Sequence, residues 1–137
     1  MTSQPSLLDP PTAQDVSVFV PSRDFDLSLD FYRQLGWHMN WRAEGLAELE
    51  LAGNRFLLQD FYAKKWAQNF MFYIRVDSAE AWFHHATKVV EGGRFGDART
   101  APPKRQSHGD IVTYVWDPCG VLLHFAEATD EPAEAGN

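Results

Sequence analysis

Residues 16–20 read Val-Ser-Val-Phe-Val, with Val16, Val18 and Val20 set against Ser17 and Phe19. A period of two predicts a short strand, and Pro21 ends it. Asp24 is placed to cap a helix over residues 25–35. Leu27, Phe31 and Leu35 recur at spacing four on one face of it, and Gly36 closes it. Residues 37–43 predict a second strand and residues 46–51 a third. Gly53-Asn54 is the expected hairpin turn into a fourth strand over residues 55–61.

The same order then recurs. Residues 70–76 predict a strand, and Asp77 or Ser78 caps a helix over residues 79–90. Trp82, Ala86 and Val89 share one face of that helix, and Gly92-Gly93 stops it. A strand near residues 94–98 and a polar, proline-containing loop over residues 99–109 follow. Residues 110–116 and 121–127 form a closing hairpin. The chain therefore reads as βαβββ twice, with Asp24 and Asp77 53 residues apart. A unit of that size cannot bury its own apolar face, so two copies must share a core. This gives an α+β fold: tandem modules, about residues 15–61 and 70–127, form a curved, partly open, barrel-like sheet with helices outside. Between the two sheets a concave, aromatic-lined cleft is expected. Residues 1–14, with three prolines, read as a loose leader, and residues 128–137 as a loose acidic tail.

Composition narrows the picture. At 137 residues, 45% hydrophobic and 23% charged, the chain suits one soluble domain spanning residues 15–127. Its net charge is −7 and its basic pairs are only Lys64-Lys65 and Lys104-Arg105. Nucleic acid is therefore not expected as a partner, because phosphate binding needs clustered cations. One cysteine, Cys119, excludes an internal disulfide and reads as a tolerated turn residue. No signal-like or membrane-spanning run is present, so the cytoplasm is the expected location and no membrane partner is expected.

Three stretches carry a resemblance. "VPSRDFDLSLDFYRQLGW" resembles the first-module motif of the vicinal oxygen chelate superfamily of glyoxalases, bleomycin resistance proteins and extradiol dioxygenases. "FYIRVDSAEAWFHHA" resembles the strand and helix of the second module, and "VWDPCGVLLHFAE" the closing hairpin. The resemblance implies that metal-dependent members place four ligands on four strands, at positions matching Ser17, Gln59, Met71 and His124 here. Serine and methionine are poor donors for a catalytic divalent ion, and two neutral ligands hold one weakly. No metal and no cofactor are expected.

The nearer likeness is to the bleomycin resistance branch. "VPSRDF" resembles its first strand, "VLLHFAE" its last, and "QSHGD" stands where a Trp-Gly is common, with His108 in place of the aromatic. The resemblance implies a protein without chemistry that sequesters an aromatic or cationic small molecule, such as an antibiotic, in clefts of a homodimer. Candidate ligand-binding residues are Trp37, His38, Trp41, Gln59, Phe61, Trp66, His108, Tyr114, Trp116 and His124. No catalytic residue is assigned. Core packing competes for Trp37 and several other aromatics, and His124 equally suits a hydrogen-bonded core histidine. His84-His85 and the pair Glu48 and Glu50 read as solvated faces. The alternatives are a metal-dependent glyoxalase- or dioxygenase-like lyase, isomerase or oxidoreductase, a cofactor-free enzyme with His124 as base, and a scaffold dimer with a filled cleft.

Overall fold

A computed structural model describes residues 8–129 of the chain. Residues 1–7 of the expected leader and 130–137 of the expected tail lie outside the described residues. The elements are β1 (Phe19–Pro21), α1 (Phe25–Leu35), β2 (His38–Ala43), β3 (Leu46–Leu51), β4 (Asn54–Gln59), α2 (Lys64–Asn69), β5 (Met71–Val76), α3 (Ala79–Glu91), β6 (Arg99–Arg105), β7 (Ile111–Trp116) and β8 (Leu122–Glu127). They form two four-stranded sheets, ordered β1-β4-β3-β2 and β5-β8-β7-β6. In each sheet the first strand of the module joins its last strand in parallel, and the other pairs are antiparallel. The duplication read from the sequence is thus repeated strand for strand.

Local chemistry sets the helix ends. The Asp24 carboxylate accepts from the Leu27 N–H at 3.2 Å, and the Ser78 hydroxyl, rather than Asp77, accepts from the Ala81 N–H at 3.0 Å. Gly36 closes α1 at φ 132°, a conformation open to glycine. His85 is exposed on α3, as expected of a solvated face, and is also bonded. Its Nε2 donates to the Gln34 and Leu35 carbonyls at 3.1 and 2.9 Å, so α3 caps the end of α1.

Four expectations need correction. The first strand is only Phe19–Pro21, while Val16 and Val18 are 79% and 46% exposed. Alternation there misled because the chain leaves the ladder before Phe19, whose register partner is Leu57. The β3–β4 turn is Ala52-Gly53, both at positive φ, with Leu51 opposite Asn54. A two-residue turn of this hand needs positive φ at both positions. The aromatic linker contains α2. Finally, the strand expected near residues 94–98 and the loop expected over 99–109 are replaced by β6. Two prolines, Pro102 and Pro103, made that stretch look like a loop. At a sheet edge they are tolerated, with a register shift between Ala101 and Lys104. The Thr113 hydroxyl bonds the Ala101 carbonyl at 2.6 Å there.

One core unites the modules. Val20, Leu49, Phe56 and Leu58 from the first sheet share one buried cluster with Leu123, Phe125 and Val115 from the second and with Phe31, Tyr32, Leu35, Ala86 and Val89 from the helices packed against them. Rings of both halves touch, as in Phe56–Phe72 at 5.2 Å between centroids. Across this core, the Tyr32 hydroxyl on α1 donates to the fully buried Asp117 carboxylate at 2.7 Å. Asp117 also accepts the Cys119 and Val121 N–H groups at 2.8 and 3.0 Å, which folds the Asp-Pro-Cys-Gly turn.

Cys119 is therefore buried, 3% exposed, with its Sγ 3.4 Å from the Pro21 carbonyl. Burial, and then the negative charge of Asp117, pushes its thiol up to about 12. The unfolded thiol ionises near ~8.5. The raised folded value means this group's contribution to stability is present below that pH and is lost as pH climbs toward 12. At pH 8 in native buffer, a disulfide reagent should label Cys119 only as fast as the protein opens, and at once in denaturant. Prompt native labelling would contradict the burial.

Candidate functional site

The alternating residues that do not enter the core form two open sheet faces. On the first sheet, Phe19, Leu57, Gln59, Leu46, Glu48, Glu50, His38 and Trp41 share one face by register. Glu48 and Glu50 therefore lie on the candidate face, since the opposite face of β3, with Ala47 and Leu49, is the buried one. The Asn40 amide, at a bulge in β2, donates to both carboxylates at 2.9 and 3.0 Å, and its oxygen meets His38 Nδ1 at 3.2 Å. That arrangement presents negative charge beside the exposed Trp41 ring.

On the second sheet, Met71, Tyr73 and Arg75 from β5 stand beside Leu122 and His124 from β8, then Tyr114 and Trp116 from β7. The Tyr73 ring lies 5.6 Å from His124, and Tyr114 meets His124 edge-on at 5.0 Å. His124 Nδ1 bonds the Phe72 carbonyl at 2.9 Å. A carbonyl only accepts, so Nδ1 carries the proton, and Nε2 of the neutral ring is left as an acceptor. The Tyr73 hydroxyl donates to Asp110, and Arg75 reaches the same carboxylate at 3.1 Å. These two bonds hold the Asp110 carboxyl below its usual range. Partial burial, then Asp110 itself, pushes the Tyr73 phenol up to about 12, so it remains a donor at neutral pH.

The candidate residues are thus divided. Gln59, Trp41 and His38 lie on the first open face, and His124, Tyr114 and Trp116 on the second. His108 is exposed on the β6–β7 turn, 3.8 Å from Asp110 and 6.3 Å from the Tyr73 ring. Phe61, 51% exposed, follows β4 and meets the Trp66 ring of α2 at 6.1 Å. Trp37 is 5% exposed among Tyr32, Phe56 and Phe72, in the core. Phe19, Tyr73, Arg75 and Asp110 were missed. Period two along Met-Phe-Tyr-Ile-Arg-Val would have put Tyr73 and Arg75 with Met71.

Of the four positions given by the resemblance, Ser17 precedes β1, Gln59 lies on the first open face, and Met71 and His124 lie on the second, with Gln59 opposite Pro21 and His124 opposite Tyr73. Among the described residues no three His, Cys, Asp or Glu side chains are grouped to hold an ion. Serine, glutamine, methionine and histidine do not make the donor set that a catalytic divalent centre needs.

Comparison with known proteins agrees with the duplicated fold. A bleomycin-binding protein solved with bleomycin superposes with a TM-score of 0.69 at 23% identity, over 85% of this chain and all of that one. A bleomycin resistance determinant encoded on transposon Tn5 gives 0.69 at 24%, over 84% and 98%. A lactoylglutathione lyase from Agrobacterium tumefaciens gives 0.59 at 19%, over 86% and 95%. No curated protein matches the chain. A profile of the Glyoxalase/Bleomycin resistance protein/Dioxygenase superfamily matches residues 16–125, nearly the whole described body, and the chain belongs to that superfamily.

Proposed function

We propose that the chain binds a flat aromatic or cationic small molecule, without a metal, between open sheet faces brought together in a homodimer. One observation carries this reading. Phe19, Trp41, Phe61, Met71 and Tyr73 remain 42–59% exposed, and all but Phe61 stand on the two open faces. Large apolar side chains gathered on open surfaces mark contact with a partner or ligand. The Trp41 ring beside Glu48 and Glu50 offers a cation both a π face and carboxylates. Fold neighbours that bind bleomycin support the same ligand class. Among the described residues no helix is long and apolar enough to cross a membrane, and the cytoplasm is the proposed location.

The test has two parts. Light scattering at micromolar concentration should give twice the chain mass. Metal-free bleomycin should raise the unfolding free energy, by ~2.7 kcal/mol at a ligand concentration 100 times its Kd. A monomer would remove the proposed cleft. A dimer unresponsive to bleomycin and to other cationic aromatic drugs would favour the filled scaffold. The acceptor Nε2 of His124 keeps a glyoxalase-like enzyme as the second reading. Stoichiometric zinc, nickel, iron or manganese in the purified protein, lost in His124→Ala, would favour that enzyme over the metal-free binder.

A further inference from the structure

In a chain of net charge −7, one cation is held in an unusual way. Arg99 opens β6 opposite Trp116 of β7, and its guanidinium lies 3.8 Å from the centre of the Trp116 indole. Arg99 is exposed, and among the described residues no carboxylate reaches it. Its strand is held from behind, where the Thr100 and Thr87 hydroxyls meet at 3.0 Å. Arg99 and Trp116 line a recess of about 460 Å³ together with Gln68, Asp97 and Gly120. Asp97 is already paired with Arg23 at 3.2 Å. Arg99 and Asp97 bring opposite charges to the lining, and the Arg23 guanidinium on Asp97 leaves the Arg99 cation as the excess charge of the three.

We propose that this recess is a subsite for an oxyanion, best met by the carboxylate of an aromatic acid. A guanidinium stacked on an indole has one face covered and its N–H edge free. That edge matches two carboxylate oxygens at once. The stacking also fixes the plane of the fork before the ligand arrives, so less side-chain freedom is lost on binding. The Gln68 amide supplies a further donor, and the exposed rim of Trp116 a surface for the acid's ring. The subsite lies within one chain and does not depend on the homodimer or on a cationic ligand.

The test is an NMR titration of the full chain, following the Trp116 indole N–H, assigned by its loss in Trp116→Phe. The probes are sodium benzoate and inorganic phosphate, each against sodium chloride at equal ionic strength. Benzoate should move the signal saturably, and Arg99→Gln should weaken that binding at least about tenfold. Arg99→Lys, which keeps the charge and loses the fork, should fall between. Unchanged circular dichroism of the variants shows that they fold. Equal response to phosphate supports an oxyanion site without ring preference. Response to neither probe, or equal benzoate binding in Arg99→Gln, overturns the proposal.

Discussion

Asp117→Ala should lower the unfolding free energy by about 3 kcal/mol or more, read by urea denaturation. The carboxylate is wholly buried and takes three donors: the Tyr32 hydroxyl and the Cys119 and Val121 N–H groups. Alanine leaves all three without an acceptor where water does not reach, and each orphaned group costs about 1–3 kcal/mol. Tyr32→Phe should cost less, because Asp117 keeps both backbone donors. Asp117→Asn should also cost less, since its carbonyl oxygen can still serve those donors. Burial pushes the Asp117 carboxyl above its ordinary value against the pull of its donors. The protonated form is thus favoured by folding, and this group's contribution is fullest in acid and declines as pH rises through its folded value. Burial also raises the Tyr32 phenol well above its usual range, so its contribution persists until about pH 10 and is lost beyond. A cost under ~1 kcal/mol for Asp117→Ala would mean that the bond does not hold the modules together.

Phe125→Ala should cost about 3–5 kcal/mol. Its ring is fully buried and lies flat on Trp82 of α3, with centroids 4.5 Å apart at 11°. Removing it opens a cavity between helix and sheet under the very strand that presents His124 on its other side. Amide exchange along β8 should quicken, and ligand response should weaken even while the variant stays folded. A cost below about 1 kcal/mol would show that the helix closes onto the sheet without this ring.

Much of the fold was legible because each module repeats strong local signals. Asp24, Gly36 and the Leu27–Phe31–Leu35 stripe marked α1, and β3 fell on residues 46–51 as patterned. Failures came where tertiary context overrode local preference. Pro102-Pro103 argued for a loop, yet the edge beside β7 accepted them as strand. The site was less legible because its logic is register. Which residue of β5 stands beside His124 depends on parallel pairing across 51 residues, and no local pattern states that Tyr73 rather than Met71 is opposite. Asp110 and Arg75 could be joined to Tyr73 only once β5 and the β6–β7 turn were in place.

The sheet margins have a further consequence. β1 is three residues long, β2 is bulged, and β6 carries two prolines, so three of the four margins are poor templates for a foreign strand. The fourth, β5, runs unbroken for six residues with its outer side unpaired among the described strands. Crowded or partly opened molecules that stick through backbone ladders will therefore do so at Met71–Val76, and Arg75 is the gatekeeper charge standing on that ribbon.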